Sequence, residues 1–256
     1  MITLHHADAL KFLPTIKSSS IDLIVTDPPW KDYHSNIRGA DIYDKVNTSG
    51  EVWKWIHKFA YECYRVLKID SHMYCFVDSL YYPMFYTAFK LATTYECEFE
   101  DENTPELMIR RLSPTLPDWG FNIKKLLYWL KPSHTAGDLT GDYGERLEPI
   151  IFMHKGRKEL IGRRRDNLFT FPRVPRSETF HPTQKPIELL KTLILKSSES
   201  GETVLDPFAG SCSTGYAAEE LGRDSILVEL EEEFINKSRF VMGKMNLGFE
   251  LIEGEK

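Results

Sequence analysis

Short apolar runs alternate along the chain with stretches whose apolar residues return every three or four positions. Ile21–Thr26 (IDLIVT), Met73–Val77 (MYCFV), Thr203–Leu205 and Ser225–Glu229 (SILVE) are compact apolar or β-branched runs closed by turn residues or by the start of a helical pattern. That is the composition of strands buried on both faces. Val52, Ile56, Phe59, Ala60, Cys63, Val66 and Leu67 fall at helical intervals, as do Leu189, Leu190, Leu193 and Ile194 behind Pro186, and Phe234, Ile235, Ser238, Val241 and Met242. These predict helices that cover a sheet. The alternation predicts a three-layer α/β domain with right-handed crossovers. Two more apolar runs, Lys125–Leu130 (KLLYWL) and Pro149–Met153 (PIIFM), flank a segment containing Gly137, Gly141 and Gly144. They predict an antiparallel pair at a sheet edge, which makes the sheet mixed.

Periodicity is weak in 31–50, 93–120 and 155–180, where charge or Pro/Gly content is high. These stretches are expected to be insertions on the rim of one core covering 1–256, a length that suits one large domain. No apolar run approaches the ~18 residues of a membrane span, and no basic leader with an apolar block opens the chain, so a cytoplasmic location with no membrane partner is expected. Cys63, Cys75, Cys97 and Cys212 lack CxxC spacing and no HExxH is present, so reduced thiols and no metal centre are expected.

The formal charge is −6, which argues against binding a polyanion over the whole surface. Between Lys155 and Lys185, however, nine basic residues face three acidic ones. Glu96 to Glu106 holds six acidic residues and no basic one, a segment that repels phosphate. The 155–180 insertion is therefore expected to face an anion, through Arg157, Lys158, Arg163, Arg164, Arg165, Arg173 and Arg176, with Phe169 and Phe171 interleaved among them.

The first candidate for chemistry is Asp27-Pro28-Pro29-Trp30, directly after the strand IDLIVT. Side chains at the carboxyl end of a strand face the crevice where α/β sheets bind ligands. Consecutive prolines donate no N–H, leaving carbonyls free to accept. A carboxylate, a carbonyl and an indole together suit a planar ring bearing an amino group: Asp27 and the Pro28 carbonyl accept its N–H hydrogens while Trp30 stacks on its face.

The second candidate is Asp206-Pro-Phe-Ala-Gly210-Ser-Cys-Ser-Thr-Gly215, which follows the strand TVL and opens a helix near Ser213. A glycine turn there lets a ligand approach the backbone and the helix N-terminus. Glu229 ends the next strand 19 residues after Gly210, the distance at which a Rossmann-type fold places an acid on ribose hydroxyls. Neither GxGxxG nor GxxxxGK[ST] is present, so a nucleoside without pyrophosphate is the better ligand.

DPPW at 27–30, HPTQKP at 181–186 and DPFAGSCST at 206–214 resemble the motifs of the amino-methyltransferases that modify DNA at adenine N6 or cytosine N4. Their order resembles the beta group of that family, whose Rossmann-like sheet is permuted relative to other S-adenosylmethionine (SAM) enzymes. The resemblance implies SAM as cofactor. It implies cofactor contacts from Asp8 and Ala9 in HADAL, from His181, Thr183, Gln184 and Lys185, from Asp206, Phe208, Gly210, Ser211 and Cys212, and from Glu229 and Leu230. Asp27, Pro28, Pro29 and Trp30 match the target-base site, where Asp27 also borders the cofactor. The family has glycine where this chain has Cys212, so either the backbone there avoids positive φ or the cofactor sits slightly differently. The family also has serine in place of Asp27 in members that act on cytosine, so Asp27 favours adenine.

The implied activity is adenine-N6 methylation of DNA after base flipping, with 155–180 as the target-recognition segment, its basic residues as DNA contacts and Phe169 and Phe171 as wedge or stacking groups. The alternatives are cytosine N4, an RNA adenine, or a catalytically idle homologue that binds SAM or DNA. Homodimerisation and a restriction endonuclease partner are compatible with the resemblance and are not fixed by any motif.

Overall fold

The computed structural model describes residues 1–29, 49–93, 120–133, 140–141, 143–175, 177–181, 183–244 and 248–254. Nine strands form one mixed sheet: β1 (Ile2–His6), β2 (Ile21–Thr26), β3 (Leu67–Phe76), β4 (Asn122–Leu130), β5 (Leu147–Lys155), β6 (Leu168–Thr170), β7 (Thr203–Asp206), β8 (Asp224–Glu229) and β9 (Phe249–Glu253). Their spatial order is β6-β4-β5-β3-β2-β7-β8-β1-β9. From β3 through β9 all neighbours are parallel, while β5 runs antiparallel to both β3 and β4. The expected antiparallel pair is therefore present, but the three-residue β6 pairs parallel to β4 outside it and forms the true edge. Strand β9 closes the opposite edge.

β2 is buried at all six positions, as a run of β-branched and aliphatic residues between two parallel neighbours should be. Its one charged residue, Asp22, is satisfied at the amino end of the strand by Lys68 Nζ at 2.6 Å and by the Thr203 N–H at 3.1 Å.

Helices α2 (Ser49–Val66) and α3 (Tyr82–Lys90) cover one face. Val52, Ile56, Phe59, Ala60, Cys63 and Val66 of α2 pack there with Ile24 of β2, Met73 of β3 and Ile151 of β5. Helices α4 (Ile187–Ser197) and α5 (Ser213–Glu220) cover the other face, where Leu189, Leu190, Leu193, Ile194 and Ala217 meet Leu23, Val25 and Val204. Helix α6 (Glu232–Lys244) extends that layer with Ile235 and Met242 over Ile2, Leu4 and Leu227. The short α1 (Ala9–Phe12) follows β1, and Asp8 caps it by accepting the Leu10 and Lys11 N–H groups at 2.7 and 3.2 Å. Three layers around a sheet buried on both faces leave the strand ends as the place for chemistry.

Candidate active site

β2 leads onward to β3 on one side of the sheet, whereas its other neighbour β7 leads to β8 on the opposite side. Crossovers that diverge from adjacent parallel strands leave a crevice above their carboxyl ends. Register across this seam pairs Leu23 with Val204 and Ile24 with Leu205, so the segments after β2 and β7 emerge side by side. One cleft is lined by Asp27, Pro28 and Pro29 from the first segment, by Asp206, Phe208, Gly210 and Ser211 from the second, and by Asp8 and Ala9 after β1. Glu229 and Leu230 after β8 and His181, Thr183, Gln184 and Lys185 before α4 complete the lining.

On the β7–β8 side, Glu229 is held by two backbone donors, the Gly210 N–H at 2.7 Å and the Glu231 N–H at 2.8 Å. Burial nevertheless pushes its carboxyl up to about 7. Asp206 accepts from Thr214 Oγ1 at 2.6 Å and from the Phe208 N–H at 3.1 Å, and burial pushes it up to about 6. Gly210 has φ +50°, and a Cβ there would meet His181 Nε2 at 3.0 Å. The His181 ring in turn packs on Phe234 at 4.3 Å. The turn thus needs glycine for both its conformation and its clearance. Desolvated carboxylates in a partly apolar cleft favour a cationic ligand, because a cation relieves the cost of ionising them. A nucleoside bearing a sulfonium would fit this donor set, with Glu229 at the strand end where an acid can take ribose hydroxyls and the glycine turn open to close backbone approach.

Opposite this wall, Asp27 is ion-paired through Oδ2 with Lys185 Nζ. Its other oxygen, Oδ1, is buried and has no hydrogen-bond partner among the described residues. Burial pushes the Asp27 carboxyl up to about 7 against the opposing pull of Lys185. Lys185 Nζ also contacts Glu148 Oε1 at 2.8 Å and lies 5.0 Å from the Phe76 ring centroid, while Glu148 Oε2 pairs with Lys131 Nζ at 2.9 Å. Burial works against the charge of Glu148, but Lys185 and Lys131 together hold its carboxyl below the usual range.

Glu148 and Lys131 escaped the sequence analysis. Their signal is a single charge at the edge of each apolar run, KLLYWL and PIIFM. It becomes readable only with the β4–β5 register, in which Leu130 opposes Leu147. Trp55 belongs to the cleft as well, tilted against Phe208 at 5.6 Å.

Several expected residues lie elsewhere. Cys212 adopts φ +59°, which removes the first of the two alternatives for this position, a backbone that avoids positive φ. Its side chain is fully buried against Leu4, Leu227 and Met242 and is absent from the cleft lining. The burial of the thiol under α6 offsets a left-handed conformation that costs about 1–2 kcal/mol. The basic segment is also divided. Because β5 is antiparallel to β3, Lys155 pairs opposite Ser71, near the amino edge of β3 and away from the cleft. Gly156 turns there with φ +75°, the Arg157 N–H donates to Asp70 Oδ1 at 2.7 Å, and Lys158 lies 3.6 Å from Glu202. Arg163 is held on the same side, its carbonyl accepting from Lys196 Nζ at 2.6 Å at the far end of α4. Arg164 and Arg165 follow as exposed residues leading to β6. Arg173 returns to the cleft side, where its charge acts on Glu145 beside Lys131 and Glu148. Phe169 is buried in the core with Trp129 and Leu190, while Phe171 is partly buried against the same cluster and its carbonyl accepts from Trp129 Nε1 at 2.8 Å. Trp30 and Arg176 lie outside the described residues.

Comparison with known proteins agrees with this geometry. The profile of the N6/N4 DNA methylases matches residues 21–240. The DNA adenine methyltransferase YhdJ of Escherichia coli is 31% identical, over 91% of this chain and 80% of its own length. The crystal structure of the M1.HpyAVI–SAM complex superposes with a TM-score of 0.64 at 22% identity, covering 96% of this chain and all of the other. The cytosine-N4-specific PvuII DNA methyltransferase gives the same TM-score at 18% identity, over 93% of this chain and 85% of that one. A cleft joining a ribose-type acid to a buried carboxylate at the end of a parallel strand, in a chain whose sequence fits the family profile over most of its length, has one reading: the protein belongs to the N6/N4 DNA methylase family.

Proposed function

We propose that this chain transfers the methyl group of SAM to N6 of an adenine in DNA. The observation that carries the choice of an amino target is the Asp27 carboxylate at the cleft, with one oxygen occupied by Lys185 and the other buried without a hydrogen-bond partner among the described residues. An unsatisfied buried acceptor is costly unless a ligand supplies the donor. An exocyclic amine does so. When bound, SAM supplies a methyl group on a positively charged sulfur.

The chain's own part is positional and electrostatic. Glu229 and Asp8 hold the nucleoside, and Phe208 and Trp55 form an aromatic wall. Asp27 Oδ1 and the Pro28 carbonyl accept the two N–H groups of the amine. Doing so draws the nitrogen lone pair out of conjugation and toward the methyl carbon, and in-line alignment supplies much of the rate. With SAM bound, the amine so held would form its N–C bond as the C–S bond broke, leaving a neutral thioether. The surplus proton on the methylated nitrogen is then acidic and passes to water or to Asp27. The target base must leave the duplex, at a cost of a few kcal/mol recovered in the pocket.

An aspartate at position 27, and the relationship to YhdJ, favour adenine over cytosine N4. Incubation with DNA and tritiated SAM followed by nucleoside analysis tests this. N6-methyladenine is the expected product; N4-methylcytosine without it would transfer the assignment to cytosine, and label in RNA alone would overturn the DNA substrate.

A further inference from the structure

Behind the cleft wall, four charged side chains form an alternating row: Asp27, Lys185, Glu148 and Lys131. Lys185, Glu148 and Lys131 are only 7–8% exposed, and neither Glu148 nor Lys131 lines the cleft. Burying charges that touch no ligand is expensive and is more often neutral or destabilising than stabilising relative to an apolar core. A fold can dispense with such a row, and a reaction can use it.

We propose that Glu148 is a positioning residue: by sharing Lys185 with Asp27, it keeps the ammonium group on Oδ2 and leaves the buried Oδ1 as the acceptor for the target amine. The proposal rests on the functional reading above. The geometry supplies the argument. Lys185 Nζ is bound on one side by Asp27 Oδ2 and on the other by Glu148 Oε1, while the packing of its ammonium over Phe76 fixes the approach. With Glu148 removed, the ammonium would lose the carboxylate that draws it to the far side of Asp27 and would shift across both Asp27 oxygens, covering the acceptor the amine requires. Lys131 has the complementary task of neutralising the second oxygen of Glu148, so that the row as a whole carries no net charge.

The charged and titratable groups facing Asp27 are Lys185 from the segment before α4, Glu148 from β5, Asp206 from β7 and Cys75 from β3. Glu148 raises the proton affinity of Asp27 and Lys185 lowers it. Glu148→Gln deletes a negative charge and should lower the Asp27 titration midpoint by about one pH unit. Lys131→Met strips the outer cation from Glu148, strengthens its field at Asp27, and should move the midpoint upward. A residue serving only to hold the fold would not give shifts of opposite sign.

The decisive experiment follows the side-chain carboxyl ¹³C resonance of Asp27 with pH in the full-length wild-type protein and both variants, the signal being assigned by its loss in Asp27→Asn. SAM binding, expected to change by less than about twofold because Glu229 lies on the other wall, checks that each variant is folded. The acid limb of the rate profile should move with the resonance, and kcat of Glu148→Gln should fall more than tenfold with KM for SAM retained. An unchanged midpoint in a variant that still binds SAM overturns the inference. If one variant fails to bind SAM, the sign of the shift in the other decides. The titration needs no turnover. A wild-type chain that leaves DNA unmethylated while its midpoints move as stated would remove the substrate reading and still support the arrangement of the row.

Discussion

Ile24 and Leu205 are register partners across the β2–β7 seam. From that pairing the two walls of the cleft follow, since Asp27 leaves β2 three residues beyond Ile24 and Asp206 ends β7 one residue beyond Leu205. The carboxylate that meets the target and the turn that meets the nucleoside are adjacent because their strands are.

Replacing Asp27 with Asn preserves shape and removes the charge. The loss of one preorganised electrostatic contact in a water-poor site lowers kcat by about 10²–10³-fold. Transfer of tritiated methyl groups to DNA measures this, and SAM binding by calorimetry should be retained. A variant with wild-type turnover would show that the amine is held elsewhere.

Glu229 governs the pH dependence of cofactor binding. Its carboxyl is raised to about 7 in the free protein, so the neutral form is favoured on folding. This contribution to stability is complete below the ordinary glutamate pKa and is lost as pH rises through about 7. Ribose hydroxyls donate to the ionised form. SAM affinity should therefore weaken by up to tenfold for each unit below about 7, and the thermal shift caused by SAM should be larger at pH 8 than at pH 6. Glu229→Gln weakens SAM binding by roughly 10–100-fold, the worth of a hydrogen bond to a charged group, and flattens its pH dependence.

At Cys212 backbone and side chain pull in opposite directions, with φ +59° against complete burial. Cys212→Ala keeps the left-handed strain and opens a small cavity; Cys212→Gly removes the strain. The glycine variant should be the more stable of the two by about 1 kcal/mol in urea denaturation. The reverse order would mean that packing of the Cβ dominates.

The division of the basic segment sets an expectation for DNA binding. Combined Arg163→Gln, Arg164→Gln and Arg165→Gln substitutions should leave the salt dependence of binding to a short duplex unchanged. Arg173→Gln, on the cleft side, should reduce its log–log slope by about 0.9, one phosphate contact. Fluorescence anisotropy over a salt series separates the two outcomes.

Strands β2, β3, β7 and β8 and helices α2, α4 and α6 were legible because their apolar periodicity leaves few alternatives: IDLIVT is buried throughout, and α5 begins at the expected Ser213, whereas β1 and α3 were not read. The edge strands β6 and β9 were not legible, being three and five residues long with partly exposed patterns. Asp27, Gly210 and Glu229 could be read from their places at strand ends. Glu148 and Lys131 could not, because a lone charge beside an apolar run acquires meaning only from its partner across the sheet. The division of the basic segment was not legible for a related reason. Sequence proximity grouped its arginines, whereas the antiparallel direction of β5 sends Arg157 to Arg163 to the edge of the sheet remote from Asp27.

The neighbouring placement of β2 and β7 also bears on how the protein folds. No contiguous half of the chain contains both walls, so a nascent N-terminal portion would carry the target-side carboxylate with nothing opposite it. Catalytic competence is then acquired late and all at once, when a distant strand docks into the middle of the sheet. That long-range closure is slow compared with helix formation.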